Sequence, residues 1–596
     1  MPGLHFFFSR NFQNPDHTIQ KLQLCKQVIH FADYSSHTLF QDDNCLLCST
    51  RYSAYPVETF RTDRFSFYLE GYIYGNSHSS ALNALAMILC RNVQESSAQD
   101  NEIRAWLLTV DGDFVLFIRD NDTGFWYCLN DALSRLPIYY VDGREEICVT
   151  REIKIAIEST RRKTLSQQAL AQYLLFGFTL GSTTMFEGVD RLRGSTVIRF
   201  GDNGSITTKT TLTTFAFDQI EGSTVEKEDG LVELFVQACK ARAAVGKQAV
   251  IGLSGGHDSR VVAAALHRAH VPALAYTWIG EEASDSMETA CARIVAKKLE
   301  FPLETMRGSS IEKADMAWVV RLKLGLVPTS TGFAFPFFNT ILETSSRASV
   351  YFSGDGGDKV LPAIAPLRKF HSTDQVVSFI IERESICDIE IVAQICGLDR
   401  TTIESNIGYT LSTYPETNLS EKVAHFRIYE RGFNWLFEGE DRNRSLLWVC
   451  TPFYSLPFFR AAMEISQRKK QYHRFYRRFL TRMNRDMAEI PDANRGLPIA
   501  SHKYWLRFAA IGLLERNPRL LSFFKRRLKS GAFVTTNKAS YLVDMLEEQI
   551  TKRHASVIAH MDIDYLQSVL KKNPPLSETA LHNLLTLVMA TGEMNQ

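Results

Sequence analysis

A chain of 596 residues has room for roughly two to four domains, and 45% hydrophobic content supplies a sizeable core. A formal net charge of +1 gives no global basic field, so no nucleic-acid partner is expected. The 11 cysteines are odd in number and follow no framework spacing, which predicts reduced thiols and a cytoplasmic protein.

The opening Met1-Pro2-Gly3-Leu4-His5-Phe6-Phe7-Phe8 lacks the charged flank and long apolar core of a signal peptide. No uninterrupted apolar run approaches the ~20 residues that would span a bilayer. Cys45-Leu46-Leu47-Cys48 has no second pair at zinc-site spacing and reads as a half-buried strand carrying two small thiols. Strand-like stretches at Phe65–Ile73, Ala105–Val110 and Asp113–Arg119 alternate with turn signals such as Asp111-Gly112 and Asn121-Asp122-Thr123-Gly124. A threonine-rich stretch and Glu221-Gly222-Ser223 predict a linker near 205–228, dividing the chain into units at 1–210 and 228–596.

From Glu228 the pattern runs helix, strand, glycine loop, helix, and a further strand follows Pro272 over Ala273–Trp278. Strands alternating with helices predict a parallel, doubly wound sheet, with ligands at the carboxyl ends of its strands. Beyond about 365 the chain reads as mainly helical. Tyr504–Lys529 mixes aromatic, aliphatic and basic residues, and reads as an amphipathic helix closing this unit rather than a membrane-surface helix.

The most informative run is Val250-Ile251-Gly252-Leu253-Ser254-Gly255-Gly256-His257-Asp258-Ser259-Arg260. A buried strand, a glycine turn and a helix start converge free N–H groups on one point, an anion site. Ser254 and Ser259 add hydroxyl donors, whereas Asp258 would repel a phosphate unless a cation lay between them. The run lacks the lysine and spacing of a Walker loop. A second loop, Tyr351-Phe352-Ser353-Gly354-Asp355-Gly356-Gly357-Asp358, also carries aspartates. Two such loops suit one Mg²⁺, which takes one or two protein carboxylates plus phosphate oxygens.

The first run resembles the pyrophosphate loop of ATP pyrophosphatases, and the second the S-G-[ED]-G-x-D motif of asparagine synthetases. Gly112-Asp113-Phe114-Val115-Leu116 and Asn130 to Tyr140 resemble segments of the class II glutamine amidotransferase domain. Phe176-Gly177 and Met185-Phe186-Glu187-Gly188 resemble the stretch closing that domain, while Asp441-Arg442 and Thr451-Pro452-Phe453 echo the helical part of the synthetase domain. The resemblance implies an α/β protein: an αββα amidotransferase-like sandwich, then a doubly wound ATP-pyrophosphatase domain with a helical C-terminal part.

It also implies site residues. Ser254, Gly255, Gly256 and Ser259 would hold the β and γ phosphates of ATP, and Asp258 and Asp358 would carry Mg²⁺. Leu253, Ile279, Ser353 and Gly354 match positions lining the adenosine pocket. Asp355 would orient an amine or act as a base, and Arg495 is the available cation for pyrophosphate, with Lys503 nearby. His257 is expected to pack beside its loop, and Asp285 and Glu288 to cap the helix after the second strand.

Departures from the family carry meaning too. Pro2 stands where a class II amidotransferase has its cysteine nucleophile, and Glu70 replaces an asparagine that would help form the oxyanion hole. Glutaminase activity is therefore not expected, as in beta-lactam synthetases and lasso-peptide cyclases. Trp448 and Cys450 stand within Leu447–Phe453, where the family has a glutamate and an arginine. The implied activity is carboxylate adenylation followed by amide formation with ammonia or an amine. A lasso-peptide cyclase-type macrolactam synthesis and a degenerate nucleotide-binding regulator or scaffold are the rivals. Implied partners are a small-molecule or peptide carboxylate and an amine, with a homodimer or biosynthetic proteins as companions.

Overall fold

The computed structural model describes residues 1–10, 15–75, 77–91, 96–201, 206–212, 215, 225–279, 286–308, 311–515, 537–552, 560–571 and 576–594. Half of the predicted linker, Asp285 and much of Tyr504–Lys529 lie outside these residues; within the rest of the linker, Ile206–Thr211 form a strand and Val225 begins a helix, so the irregular stretch is shorter than expected.

The first two sheets use β1 (Gly3–Ser9), β2 (Ser35–Gln41), β3 (Cys45–Arg51), β4 (Val57–Arg61), β5 (Phe65–Ile73), β6 (Gly112–Asp120), β7 (Trp126–Asn130), β8 (Tyr139–Asp142), β9 (Glu146–Thr150), β10 (Asp190–Arg191), β11 (Thr196–Phe200) and β12 (Ile206–Thr211). One sheet has the order β10-β8-β9-β1-β3-β2 and the other β12-β11-β7-β6-β5-β4, with antiparallel neighbours throughout.

Alternation along β1 sets the layers. Phe6 points between the sheets, its ring 5.1 Å from Phe117, Trp126 and Phe200 of the facing sheet. Phe7 points outward and is buried with Leu170 and Leu174 of the helix Gln167–Phe176. On the far side, helices His78–Arg91 and Ser96–Thr109 cover Phe65, Phe67 and Leu69. Four layers result: helix, sheet, sheet, helix.

One predicted element is corrected. Ala105–Val110 was expected to be a strand, yet Ala105–Thr109 form the end of the helix Ser96–Thr109. Ile103, Trp106, Leu107 and Val110 are buried together, a helical spacing that a short apolar window does not separate from a strand. Cys45 and Cys48 lie on β3 as expected, though buried rather than half-buried, and Cys48 Sγ is 3.3 Å from Cys25 Sγ.

The third sheet is parallel: β13 (Ala249–Gly252), β14 (Ala273–Ile279), β15 (Leu303–Arg307), β16 (Val350–Phe352) and β17 (Trp448–Cys450), in the order β15-β14-β13-β16-β17. Ile251 faces the core holding helices Val225–Ala243 and His257–Arg268. Val250 faces the opposite core, with Val319 and Ile341 of helices Lys313–Lys323 and Ala334–Thr344. The chain adds β14 and β15 on one side of β13, then returns to add β16 and β17 on the other. The strand order thus reverses between β13 and β16, the place where such sheets bind ligands. Apart from β17, regular structure after residue 365 is helical among the described residues. No described helix is long and apolar enough to cross a membrane.

Candidate active site

Because β13 and β16 are hydrogen-bonded neighbours, pairing Ile251 with Phe352, the loops that follow them emerge side by side. They touch. A Cβ on Gly354 would sit 2.5 Å from the Ser259 nitrogen, and one on Gly357 would sit 2.5 Å from an Asp258 carboxylate oxygen. Only glycine permits this approach. Runs lying about 100 residues apart in the sequence thus share one surface.

The first loop is held open from within. Ser254 and Ser259 hydroxyls lie 3.0 Å apart, the Ser254 backbone N–H donates to Ser259 Oγ at 3.1 Å, and that of Gly256 to Ser254 Oγ at 3.3 Å. The helix His257–Arg268 begins with Gly256, which offers no side-chain cap. Its first N–H groups therefore remain available to an anion. In the second loop Ser353 Oγ donates to Asp355 Oδ2 at 2.6 Å and accepts from the Asp355 N–H at 3.1 Å.

Carboxylates crowd the junction. Burial, then the charge of Asp358, pushes Asp258 up to about 7, against a hydrogen bond from Tyr476. Burial likewise raises Asp355, opposed by its bond from Ser353. Asp358 is half exposed and paired with Lys359. A hard divalent cation fits this donor set, since it would relieve the repulsion that raises Asp258. No group of three or more His, Cys, Asp and Glu side chains among the described residues could cage a metal. Two carboxylates plus phosphate oxygens match what Mg²⁺ accepts.

A cavity of about 630 Å³ opens beside the junction. Ser254, Asp258, Ser259, Ser353, Gly354 and Asp355 line it, as do Glu440 and Arg442 from the helix Phe437–Arg444. Leu253 and Ile279 do not. Leu253 is buried in the core, and Ile279 ends β14 partly exposed. Arg495 also lies off the cavity wall. Its guanidinium is 3.4 Å from Asp492 and rests on Phe508 at 5.0 Å. Its segment nevertheless docks on the glycine loop, through an Ala493 N–H to Gly255 carbonyl bond of 3.1 Å.

His257 is buried between Tyr476 and Tyr504, its ring packed at 5.8 and 5.7 Å. The helix Met287–Lys298 is capped by Ser286, whose hydroxyl accepts from Thr289 N–H at 3.2 Å, so Glu288 sits in the first turn without capping it. Lys503 is exposed. Sequence reasoning missed Tyr476 and Glu440. Tyr476 lies 218 positions from Asp258 and carries no motif; Glu440 adjoins the noted Asp441-Arg442.

The antiparallel half meets this site through buried charge. Glu70 accepts from the Leu4 N–H at 2.8 Å, Tyr55 hydroxyl at 2.6 Å and Arg151 Nε at 2.8 Å. Arg151 also reaches Asp441, which Lys323 approaches at 2.8 Å. The backbone at Gly3 runs against both Arg151 and Glu70. Asp441 belongs to the same helix as Glu440 and Arg442.

Two family models match: a glutamine amidotransferase domain over residues 102–211 and asparagine synthase over residues 230–375. No curated protein matches the chain. Among solved structures, NMN synthetase from Francisella tularensis matches at 14% identity and a TM-score of 0.19, covering 36% of this chain and 95% of its own. Glutamine phosphoribosylpyrophosphate amidotransferase from B. subtilis matches at 12% identity and a TM-score of 0.24, covering 70% and 94%. Likeness at that level carries no argument. The paired domain models do: an amidotransferase-type domain followed by an asparagine synthase-type domain supports an asparagine synthetase-like superfamily of ATP-using, amide-forming synthetases.

Proposed function

We propose that the unit at 228–596 activates a substrate carboxylate with ATP. The carboxylate oxygen attacks the α-phosphorus, the bond to the β-phosphate oxygen breaks, and pyrophosphate leaves with that bond's electron pair. A nitrogen nucleophile then adds to the acyl carbon, loses a proton, and displaces AMP to form an amide. The observation that carries this reading is the contact between the two loops at Gly354 and Ser259.

In this reading Ser254, Ser259 and the N–H groups of Gly255 and Gly256 bind the departing phosphates. Asp258 and Asp358 would hold Mg²⁺, which supplies charge neutralisation for pyrophosphate when bound. Ser353 fixes Asp355 in the cavity, where its carboxylate can orient the amine or accept its proton. Arg495 needs release from Asp492 to reach pyrophosphate, so its role is the least supported by geometry.

The unit at 1–210 is read as lacking glutaminase activity. Pro2 offers no nucleophile, and Glu70 presents an acceptor where an oxyanion needs a donor. Its carboxylate is already committed to Tyr55 and Arg151. The amine is then ammonia or a substrate amine from outside this unit.

The test incubates the full chain with ATP, Mg²⁺ and pooled acids and amines, following pyrophosphate, AMP and product mass. Acid-dependent pyrophosphate release is expected, falling about 100-fold or more in Asp258→Asn. Release unchanged in that variant, or absent with every amino acid and peptide carboxylate, would falsify the reading.

A further inference from the structure

Buried arginines in this protein are paired in two ways. Arg135, Arg151, Arg191, Arg242 and Arg444 each meet a carboxylate, with contacts to Glu440 at 2.5 Å, Glu70 at 2.8 Å, Glu438 at 3.0 Å, Asp111 at 2.8 Å and Asp113 at 3.2 Å respectively. Arg260 meets none, but donates to four backbone carbonyls, those of Gly255, Met487, Ile490 and Pro491.

Arg442 fits neither pattern. It is 4% exposed, yet no carboxylate among the described residues lies within ion-pair distance. Nε and Nη2 donate to Asn443 Oδ1 at 3.0 and 2.8 Å, and Nη1 to the Thr331 carbonyl at 3.3 Å. A guanidinium has five N–H groups, so one on each Nη is left over. Burial lowers Arg442 to about 9, opposed by the charge of Asp355. A cation desolvated this far with no anion in direct contact is costly to the fold.

Its position gives that cost a use. Arg442 is the one Lys, Arg or His among the described residues lining the 630 Å³ cavity. Trp278, Phe333, Phe337 and Trp435 make an apolar wall in the same cavity. A carboxylate that is activated gives up its charge on becoming a mixed anhydride. Were Arg442 kept for that group, it would be stranded midway through the reaction. An anion that takes no part in the chemistry keeps it paired throughout.

We propose that Arg442 binds a second, unreacting anionic group of the acyl substrate, and that this substrate is a diacid with an apolar body of aromatic size. The proposal rests on the reading that this cavity takes ATP and a carboxylate. The two free N–H groups set the anion's place, and the aromatic wall takes the body.

The experiment titrates the full chain, by calorimetry, with benzylsuccinate and with 4-phenylbutanoate, which lacks one of its two carboxylates. Each titration is run alone and beside a non-cleavable ATP analogue with Mg²⁺. Wild type is expected to prefer the diacid by about 30-fold, from charge-assisted hydrogen bonds. Arg442→Gln should lose that preference, Arg442→Lys should keep part of it, and nucleotide affinity should stay within about threefold in both. Equal affinity for the two acids, or no binding of either to wild type, overturns the proposal without needing any variant. So does an Arg442→Gln protein that loses nucleotide instead of diacid. If the wild type fails to bind nucleotide but discriminates between the acids, the ATP reading fails and the anion site stands.

Discussion

Arg135 and Glu440, 305 positions apart in the sequence, form a buried ion pair at 2.5 Å. Arg135 comes from the turn after β7 and Glu440 from the helix that lines the cavity, so the antiparallel half directly fixes part of the synthetase-type site. Glu440 is held further by the Thr451 hydroxyl and by Arg444 at 3.5 Å. Glu440→Ala would leave buried Arg135 with Asp113, at 4.0 Å, as its remaining counter-charge, with an expected loss of about 3 kcal/mol. Glu548→Ala, which removes the exposed partner of Lys313 and Lys552, should change stability far less, because water screens those pairs. Urea unfolding of the two variants checks the contrast, and equal losses would contradict it.

Gly354 touches Ser259 with no space for a side chain. Gly354→Ala must push the two loops apart by several tenths of an ångström. The expected result is at least about a tenfold loss of ATP affinity. At Gly397 an added Cβ would meet no neighbour within 4 Å, but φ is +62°, so Gly397→Ala strains the backbone without touching the cavity. That variant should lose stability and keep nucleotide affinity, read by calorimetry with ATP.

Asp441 supplies a pH signature. Burial alone would raise its carboxyl, but Arg151 and Lys323 outweigh it and hold the group at about 2. The ordinary aspartate value is near 4. The folded state therefore binds fewer protons than the unfolded state between these values. This stability is present above pH 4 and lost as pH falls toward 2, amounting to about 2 kcal/mol. Asp441→Asn should flatten the stability curve in that window, measured by denaturant midpoints at stepped pH. A slope as steep as wild type would show that other carboxylates govern it.

Trp448 ends up in the core where the resemblance implies a glutamate. It is buried, its indole N–H donates to Tyr74 hydroxyl at 3.1 Å, and its ring meets Tyr72 edge-on at 5.0 Å. Trp448→Ala should cost about 3–5 kcal/mol through the cavity it leaves. Trp448→Glu should be worse still, because the nearby Arg444, 4.9 Å from the Trp448 ring, is already paired with Asp113 and Glu440 and the remaining neighbours are aromatic. Thermal melting of both variants checks the order.

Much of the architecture was legible in local pattern. Val250 and Ile251 announce a strand buried on both faces, Gly255-Gly256 its turn, and the alanine-rich stretch after Ser259 its helix. Periodicity failed at Ala105–Val110, because six residues cannot distinguish a strand from the end of a helix whose other face is buried. Leu253 and Ile279 were assigned to the nucleotide by resemblance; the geometry places neither on the cavity wall.

What the sequence by itself determined are the pieces whose chemistry is local: two glycine loops carrying Asp258 and Asp358. Tertiary structure decided which distant groups meet them. Tyr476 reaches Asp258, Arg135 reaches Glu440, and Arg442 is desolvated with no carboxylate among the described residues in ion-pair contact. A residue's charge can be read from its letter, but its pairing depends on which other elements pack against it. Those contacts form across hundreds of positions, where no local spacing records them.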